Sequence, residues 1–417
     1  MGFAEQRALE SEYVMGTFAR KPVQLVEGAG MRVVDSEGNQ LLDFIAGIGV
    51  CSLGHCHPAL VNALSEQAHK LVHVSNYYYI ENRGEVAKMV SDLMNVGVEE
   101  ADQEVWQSFF SNSGAESNEC AIKLSRLYAR KRAAAQAEPG KQAQAFAAAP
   151  RTIVVMERSF HGRTLATLAA TAQPVKQEAF MPLPDGFVAT PLNDIAALEQ
   201  LFEQQGDSIC AIMLEPIQGE SGVHPATPEF MQAARRLTAE RGALLVCDEV
   251  QCGIFRTGKP FGFQNFGVVP DIVTIAKGVA SGFPMGMCAA RASVAAAFEP
   301  GDHGTTFGGS NLAVSSALAV LRTIRDEAIA ENVLRVGAYM RERLASLPGV
   351  VEVRGFGLMN AADLREGVSA PDVVSRALGK GLLLNATGPS TLRFLPPLIC
   401  TEADVDALVE ALGELLG

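Results

Sequence analysis

The sequence predicts an α/β protein: a large domain with a mostly parallel sheet flanked by helices, beside a smaller α+β domain. Three observations carry this. Short apolar runs at 152–156, 211–214, 243–247 and 272–275 read as strands buried on both faces. Stretches of helical length and periodicity alternate with them. After about residue 320 the pattern changes to two long helices followed by further strands. The 417 residues suffice for two such units. The boundaries read as an N-terminal segment, 1–58, and a C-terminal segment, 321–417, forming the small domain around a large domain at 59–320.

Taken in order, Val23–Val26 and Met31–Val34 are strand-like, with turn chemistry in Asp35-Ser36-Glu37-Gly38-Asn39. A helix is expected from Pro58 to Val74, a strand from Val105 to Phe110 and an amphipathic helix from Ser117 to Arg132. The Ala/Gln-rich stretch 132–150 reads as an exposed helix extension and loop, with no chemistry assigned. A long helix is expected at Leu312 to Glu327, and strands near Val351–Val353 and Leu382–Leu384. A last amphipathic helix reaches Leu416, with Thr401 as its N-cap.

Apolar residues make up 48% of the chain and charged residues 19%, which excludes a disordered polymer. With 47 acidic against 34 basic residues the net charge is −13, which disfavours nucleic acid and anionic membranes as partners. The eight cysteines form no C-x-x-C pair, and several lie in apolar runs as reduced core thiols do. No secretory signal or membrane span is visible, so a cytoplasmic setting is expected. His55 and His57, near Cys51 and Cys56, fit no common zinc spacing, and no metal is expected there.

The chemistry gathers at predicted strand ends. Asp248 closes the run Gly242–Cys247, and Lys277 closes the run Asp271–Ala276 just before Gly278. Lysine is rare at a buried strand end unless paired or functional. An amine and a carboxylate at neighbouring strand ends suit pyridoxal 5′-phosphate (PLP), which needs a lysine at its aldehyde and an anion at its ring nitrogen. Gln251 is placed to reach the ring hydroxyl. Taken alone, Asp248 also suits an ordinary helix cap.

Other strand ends add candidates. Phe109–Asn118 contains Ser113, Gly114 and Ala115, small residues at a helix start where backbone N–H groups attract a phosphate. In Ser159–Thr164, Phe160 suits stacking on a ring and Arg163 suits bidentate contact with a carboxylate. Glu220 follows another buried strand, at the sheet edge where open α/β sheets bind ligands. Thr305–Gly309 adds hydroxyls and glycines for a further phosphate contact. Each segment alone is as readily a capped turn, a core aromatic or a solvated charge.

Together the segments NSGAES, SFHGRT, EPIQGE, CDEVQ, TIAKG and TTFGG stand in the order found in subgroup III aminotransferases of PLP fold type I, and the chain resembles that family from about Gly28 to its C-terminus. The resemblance implies that Lys277 holds the cofactor covalently and shuttles the proton, and that Asp248 faces the ring nitrogen. Gln251 would face the ring hydroxyl and Phe160 would stack. Ser113, Gly114 and Ala115 would bind the phosphate, with Thr306 reaching in from the second subunit of a homodimer. Arg163 would hold the α-carboxylate of acetylornithine and the side-chain carboxylate of glutamate, Arg393 the α-carboxylate of glutamate, and Glu220 would neutralise Arg393 when acetylornithine is bound. The reaction implied moves the terminal amino group of N2-acetylornithine to 2-oxoglutarate, a step of arginine biosynthesis. Family members acting on succinylornithine, succinyl-diaminopimelate, ornithine or 4-aminobutyrate use much the same residues; an aminomutase would need no acceptor. The chain departs from the family pattern at Ser221, at Ser310-Asn311 and in the stretch before Arg151.

Overall fold

The computed structural model describes residues 2–417. Its centre is a seven-stranded sheet in the order Trp106–Ser111, Gly286–Arg291, Ile272–Ile275, Leu244–Asp248, Ile209–Leu214, Thr152–Met156, Phe187–Thr190. Gly286–Arg291 runs antiparallel to both neighbours, and the remaining pairs are parallel. This is the mostly parallel α/β architecture expected. Every residue of Ile209–Leu214, Leu244–Asp248 and Ile272–Ile275 is buried, which explains their continuous apolar runs.

Strand alternation divides these residues between two cores. Val154, Ile212, Leu245 and Val273 enter the larger cluster on one face, while Ile153, Ala211, Leu244 and Ile272 join the smaller cluster on the other. Each large side chain buried this way contributes roughly 1.5–3 kcal/mol.

The terminal parts meet. Gln40–Asp43 pairs antiparallel with Arg32–Asp35 and parallel with Leu382–Leu383, placing Leu42 against Leu382. A second sheet joins Val350–Phe356, Met359–Leu364, Thr391–Phe394 and Asn385–Ala386, all antiparallel. Arg256, buried in the large part, donates to the carbonyls of Leu358 and Pro396, fastening the C-terminal part to it.

Boundaries differ from expectation in ways the side chains explain. The helix expected from Ser117 starts at Gly114, because the Ser113 hydroxyl accepts the Glu116 N–H at 3.2 Å and caps it. It extends to Gln136, and a second helix, Gln142–Ala148, follows within the Ala/Gln-rich stretch. The helix from Pro58 ends at Lys70, before Val74. Thr401 caps Glu402–Leu416, and the Asp404 carboxylate returns the bond to the Thr401 N–H. A helix at Phe3–Tyr13 was not expected; it buries none of its residues and so carries no apolar stripe to read.

Candidate active site

The sheet register brings the chemistry together. Asp248 lies opposite Thr274 on the neighbouring parallel strand, so Lys277 emerges just past the same edge. Lys277 has φ +48°, a left-handed conformation that costs a side-chain-bearing residue about 1–2 kcal/mol. Ser281, with φ +44°, repeats it in the following turn. Such strain collects where a side chain must be aimed.

A cavity of about 400 Å³ opens at this edge. Among its walls are Ser113, Gly114, Ala115, Phe160, Arg163 and Lys277, with Asp248 and Gln251 beside them. Eight of the sequence candidates therefore face one space. Arg393 and Glu220 lie behind Gln251: Arg393 donates through Nη1 to the Gln251 Oε1 at 3.2 Å, and the Gln251 Nε2 donates to Glu220 at 3.3 Å. Thr306 is exposed and does not line the cavity of its own chain.

Asp248 is held from three directions. Its Oδ2 accepts from the Asn118 amide at 2.8 Å and lies 2.8 Å from His161 Nδ1, and its Oδ1 accepts the Val250 N–H at 3.0 Å. Burial works against charge on His161, but the hydrogen bond and attraction of Asp248, helped by Glu215, hold its pKa above the ordinary value. Asp248 is therefore fixed in place, with His161 as its buried partner. Glu215, buried just behind, accepts the N–H groups of Phe160 and Gly219 at 2.9 and 3.1 Å. Burial pushes its carboxyl up to about 7, against the pull of His161.

Burial likewise lowers the Lys277 pKa, with Glu220 opposing and Arg393 assisting. A lowered pKa leaves more of the amine free to act as nucleophile or base.

Arg393 is only 2% exposed, and its Nη1 donates to Glu220 Oε1 at 2.8 Å and to the Gly219 carbonyl at 3.0 Å. Its Nη2 donates to Asn385 at 2.9 Å. Buried Arg393 is thus neutralised by Glu220, whose own pKa is lowered: burial opposes the shift, and the Arg393 charge overcomes it. A Cβ at Gly219 would meet the Gln251 Oε1 at 2.0 Å, so a side chain there would push the Gln251 amide aside. Arg163 is exposed at the cavity, its guanidinium 5.7 Å from the centre of the Phe160 ring.

The residues fit the cofactor that the resemblance implies. Phe160 and Val250 both border the cavity between the Asp248 carboxylate and the Lys277 amine. Ser113, Gly114 and Ala115 open a helix of 23 residues, whose first N–H groups suit a phosphate. Gly114 has room for no side chain, since a Cβ would stand 2.7 Å from Val250. Two buried polar atoms of lining residues, Asn118 Oδ1 and His161 Nε2, have no protein partner. Asn118, His161, Val250 and Glu215 were not singled out from sequence. Asn118 had a signal: it falls one helical turn after Gly114, on the same face.

The family model of class-III aminotransferases matches residues 17–416. An acetylornithine aminotransferase of Caldanaerobacter subterraneus is 46% identical over 411 residues, covering 98% of each chain. One from Methanocaldococcus jannaschii is 44% identical over 411 residues, covering 98% of this chain and 96% of that protein. Among solved structures, acetylornithine aminotransferase from Elizabethkingia anophelis superposes with a TM-score of 0.83 at 29% identity, over 100% of this chain and 99% of that one. Ornithine aminotransferase from Toxoplasma gondii gives 0.88 at 29% identity, over 100% and 95%. The strand-end lysine and aspartate, the cavity between them and these likenesses agree, and the chain belongs to the PLP-dependent class-III aminotransferases.

Proposed function

We propose that the protein is an acetylornithine aminotransferase of arginine biosynthesis. It moves the terminal amino group of N2-acetylornithine to 2-oxoglutarate, giving N-acetylglutamate 5-semialdehyde and glutamate. The observation that carries this reading is the pair of cationic carboxylate sites in different states. Arg163 is open at the cavity, while Arg393 is buried and covered by Glu220. An acylated diamine offers one carboxylate and glutamate offers two, so a pocket serving both needs one constant cation and one that can be masked.

When bound, the cofactor supplies a carbonyl carbon that exchanges amino groups and a ring that accepts electrons. Asp248 would keep the ring nitrogen protonated, and Gln251 would serve the ring hydroxyl. Phe160 would stack on the ring, and Ser113, Gly114 and Ala115 would hold the phosphate. Lys277 would hold the cofactor covalently, and its Nζ, once freed, would act as the base that takes a proton from the substrate carbon bearing the nitrogen and as the acid that gives it back. Arg163 orients the donor by its carboxylate. In the second half, Arg393 takes glutamate's α-carboxylate once Glu220 has moved aside, and Arg163 takes the side-chain carboxylate.

We further propose a homodimer in which Thr306 completes the partner's phosphate site. Tyr77 and Tyr79 are 93% and 103% exposed, and Phe307 beside Thr306 is 62% exposed, a face that calls for cover. Light scattering showing a monomer at working concentration would reject this. We take 1–58 and 321–417 to be one small domain, supported by the pairing of Leu42 with Leu382. A cytoplasmic setting is supported by eight free cysteines, six of them buried. Among the described residues no helix is long and apolar enough to cross a membrane.

The test is a half-reaction on the PLP-loaded protein without any oxoacid. N2-acetylornithine, succinylornithine, succinyl-diaminopimelate, ornithine and 4-aminobutyrate are offered separately, and the absorbance of the lysine-bound cofactor is followed. Fastest conversion with N2-acetylornithine is expected. A clear preference for a succinylated or unacylated amine would move the protein to another substrate within the same family.

A further inference from the structure

Glu220 sits in the tight loop of a two-stranded hairpin, Ile217–Gln218 with His224–Pro225, in which Gln218 faces His224. Everything that fixes this loop also fixes how firmly Glu220 covers Arg393. At its start, Glu215 accepts the Gly219 N–H. In the middle, the Ser221 hydroxyl donates to Gln218 at 3.2 Å, Gln218 donates to the Glu157 carbonyl at 2.9 Å, and His224 Nε2 lies 3.0 Å from the Ser221 carbonyl. At its end stands a residue from outside the hairpin: Arg354 Nε donates to both the Gly222 and Val223 carbonyls, at 2.9 and 3.1 Å. Val223 has φ +58°, so a β-branched residue is held in a left-handed conformation where Arg354 grips it.

The grip has its own support. Arg354 forms a two-pronged pair with Asp363, Nη1 to Oδ2 at 2.6 Å and Nη2 to Oδ1 at 3.1 Å, and Glu352 adds a contact at 3.2 Å. The Thr391 hydroxyl donates to Asp363 Oδ1 at 2.6 Å, and Thr391 begins the strand that carries Arg393. The base of the clamp and the guanidinium under the mask thus belong to one antiparallel sheet, in which Asp363 faces Thr391 and Ala361 faces Arg393. Glu220 is held in the same frame as the group it covers.

We propose that Arg354, seated on Asp363, is a positioning residue that holds the hairpin so that Glu220 covers Arg393, and that it thereby sets how strongly the enzyme discriminates between its two substrates. With the loop fixed at both ends, unmasking proceeds by rotation of the Glu220 side chain. Releasing the Arg354 grip lets the whole loop withdraw, leaving Arg393 open more of the time and favouring the dicarboxylate. The inference rests on the masking role given to Glu220 above.

The experiment uses the holoenzyme in two single-turnover half-reactions: 2-oxoglutarate against the amino form, and N2-acetylornithine, or the amine converted fastest, against the aldehyde form. Apparent Kd values are compared for the parent, Glu220→Gln, Arg354→Met and Arg354→Lys. Lysine keeps a charge beside Asp363 but has one nitrogen, so it cannot fork onto Asp363 and donate to the two carbonyls at once, and it decides the matter if the methionine variant does not fold. Both Arg354 variants are expected to raise the amine-to-oxoacid Kd ratio roughly 3- to 10-fold, in the direction of Glu220→Gln. General structural damage weakens both substrates together and leaves the ratio in place; that result overturns the positioning role. A ratio that shifts for Glu220→Gln but for neither Arg354 variant also overturns it while sparing the mask. A ratio that stays put in Glu220→Gln removes the mask and this inference with it.

Discussion

The two walls of the active site are built differently. The wall proposed to hold the cofactor, Asp248 with Lys277, stands on the ends of adjacent parallel strands whose residues are fully buried. The wall proposed to meet the substrate, Arg393 with Glu220, joins a strand of the C-terminal sheet to a hairpin loop of the central part, through hydrogen bonds that cross between them. Moving Asp248 would require moving the sheet, whereas moving Glu220 requires only that it give up Arg393 and the Gln251 amide. In the proposed mechanism, reaction chemistry common to both half-reactions therefore falls on rigid strand ends. Discrimination, which must differ between them, falls on contacts that can be broken and remade.

The sharpest way to break this comparison is at the rigid wall. Lys277→Ala removes both the attachment point and the proton carrier, and turnover is expected to fall by more than about 10⁴-fold; undiminished turnover would end the proposed mechanism. Asp248→Asn keeps the shape but loses the anion, and kcat is expected to fall roughly 10²- to 10³-fold in both half-reactions alike. If only one half-reaction slowed, Asp248 would belong with the substrate wall, and the contrast would fail.

At the adjustable wall the effects should be smaller and unequal. Glu220→Gln keeps a hydrogen-bond acceptor but loses the charge opposite Arg393, so 2-oxoglutarate should bind tighter and the amine should not. A shift of about 10-fold in their ratio is expected, read from the two half-reactions separately. Equal changes in both would mean that the pair is structural.

The same contrast governs what could be read from sequence. Asp248 and Lys277 were legible because each ends an apolar run, a signal local to a few residues. The segments around Ser113, Phe160 and Glu220 were visible as polar clusters after strands, but only their joint order gave them roles. What stayed hidden is non-local. Asn118 and His161 reach Asp248 across 130 and 87 positions of sequence, and no local pattern records such a bond. Arg354 meets the Glu220 loop across 132 positions. The Phe3–Tyr13 helix was missed for the opposite reason: none of its residues is buried, so its sequence bears little packing pattern.

The smallest predicted effect separates Asp248 from its neighbour in sequence. Glu249 is buried and accepts the N–H groups of Gly262 and Phe263, each at 2.7 Å, so it ties the strand end to the loop beyond it. Burial pushes its carboxyl up to about 7, against those two hydrogen bonds. In the unfolded chain the same group titrates near the usual value for glutamate, about 4.3. Between these values the unfolded chain ionises while the folded protein still holds the proton. The contribution of Glu249 to stability is therefore complete below the lower value and is lost as pH rises through about 7. Glu249→Gln cannot titrate, so the difference in Tm between parent and variant should narrow from pH 5.5 to pH 8, by roughly 2 °C in a chain of this size. Glu215 titrates in the same window in both proteins and cancels from the difference. A gap that stays constant or widens would show that the folded protein holds Glu249 ionised throughout, and that the rigid wall rests on a charged support.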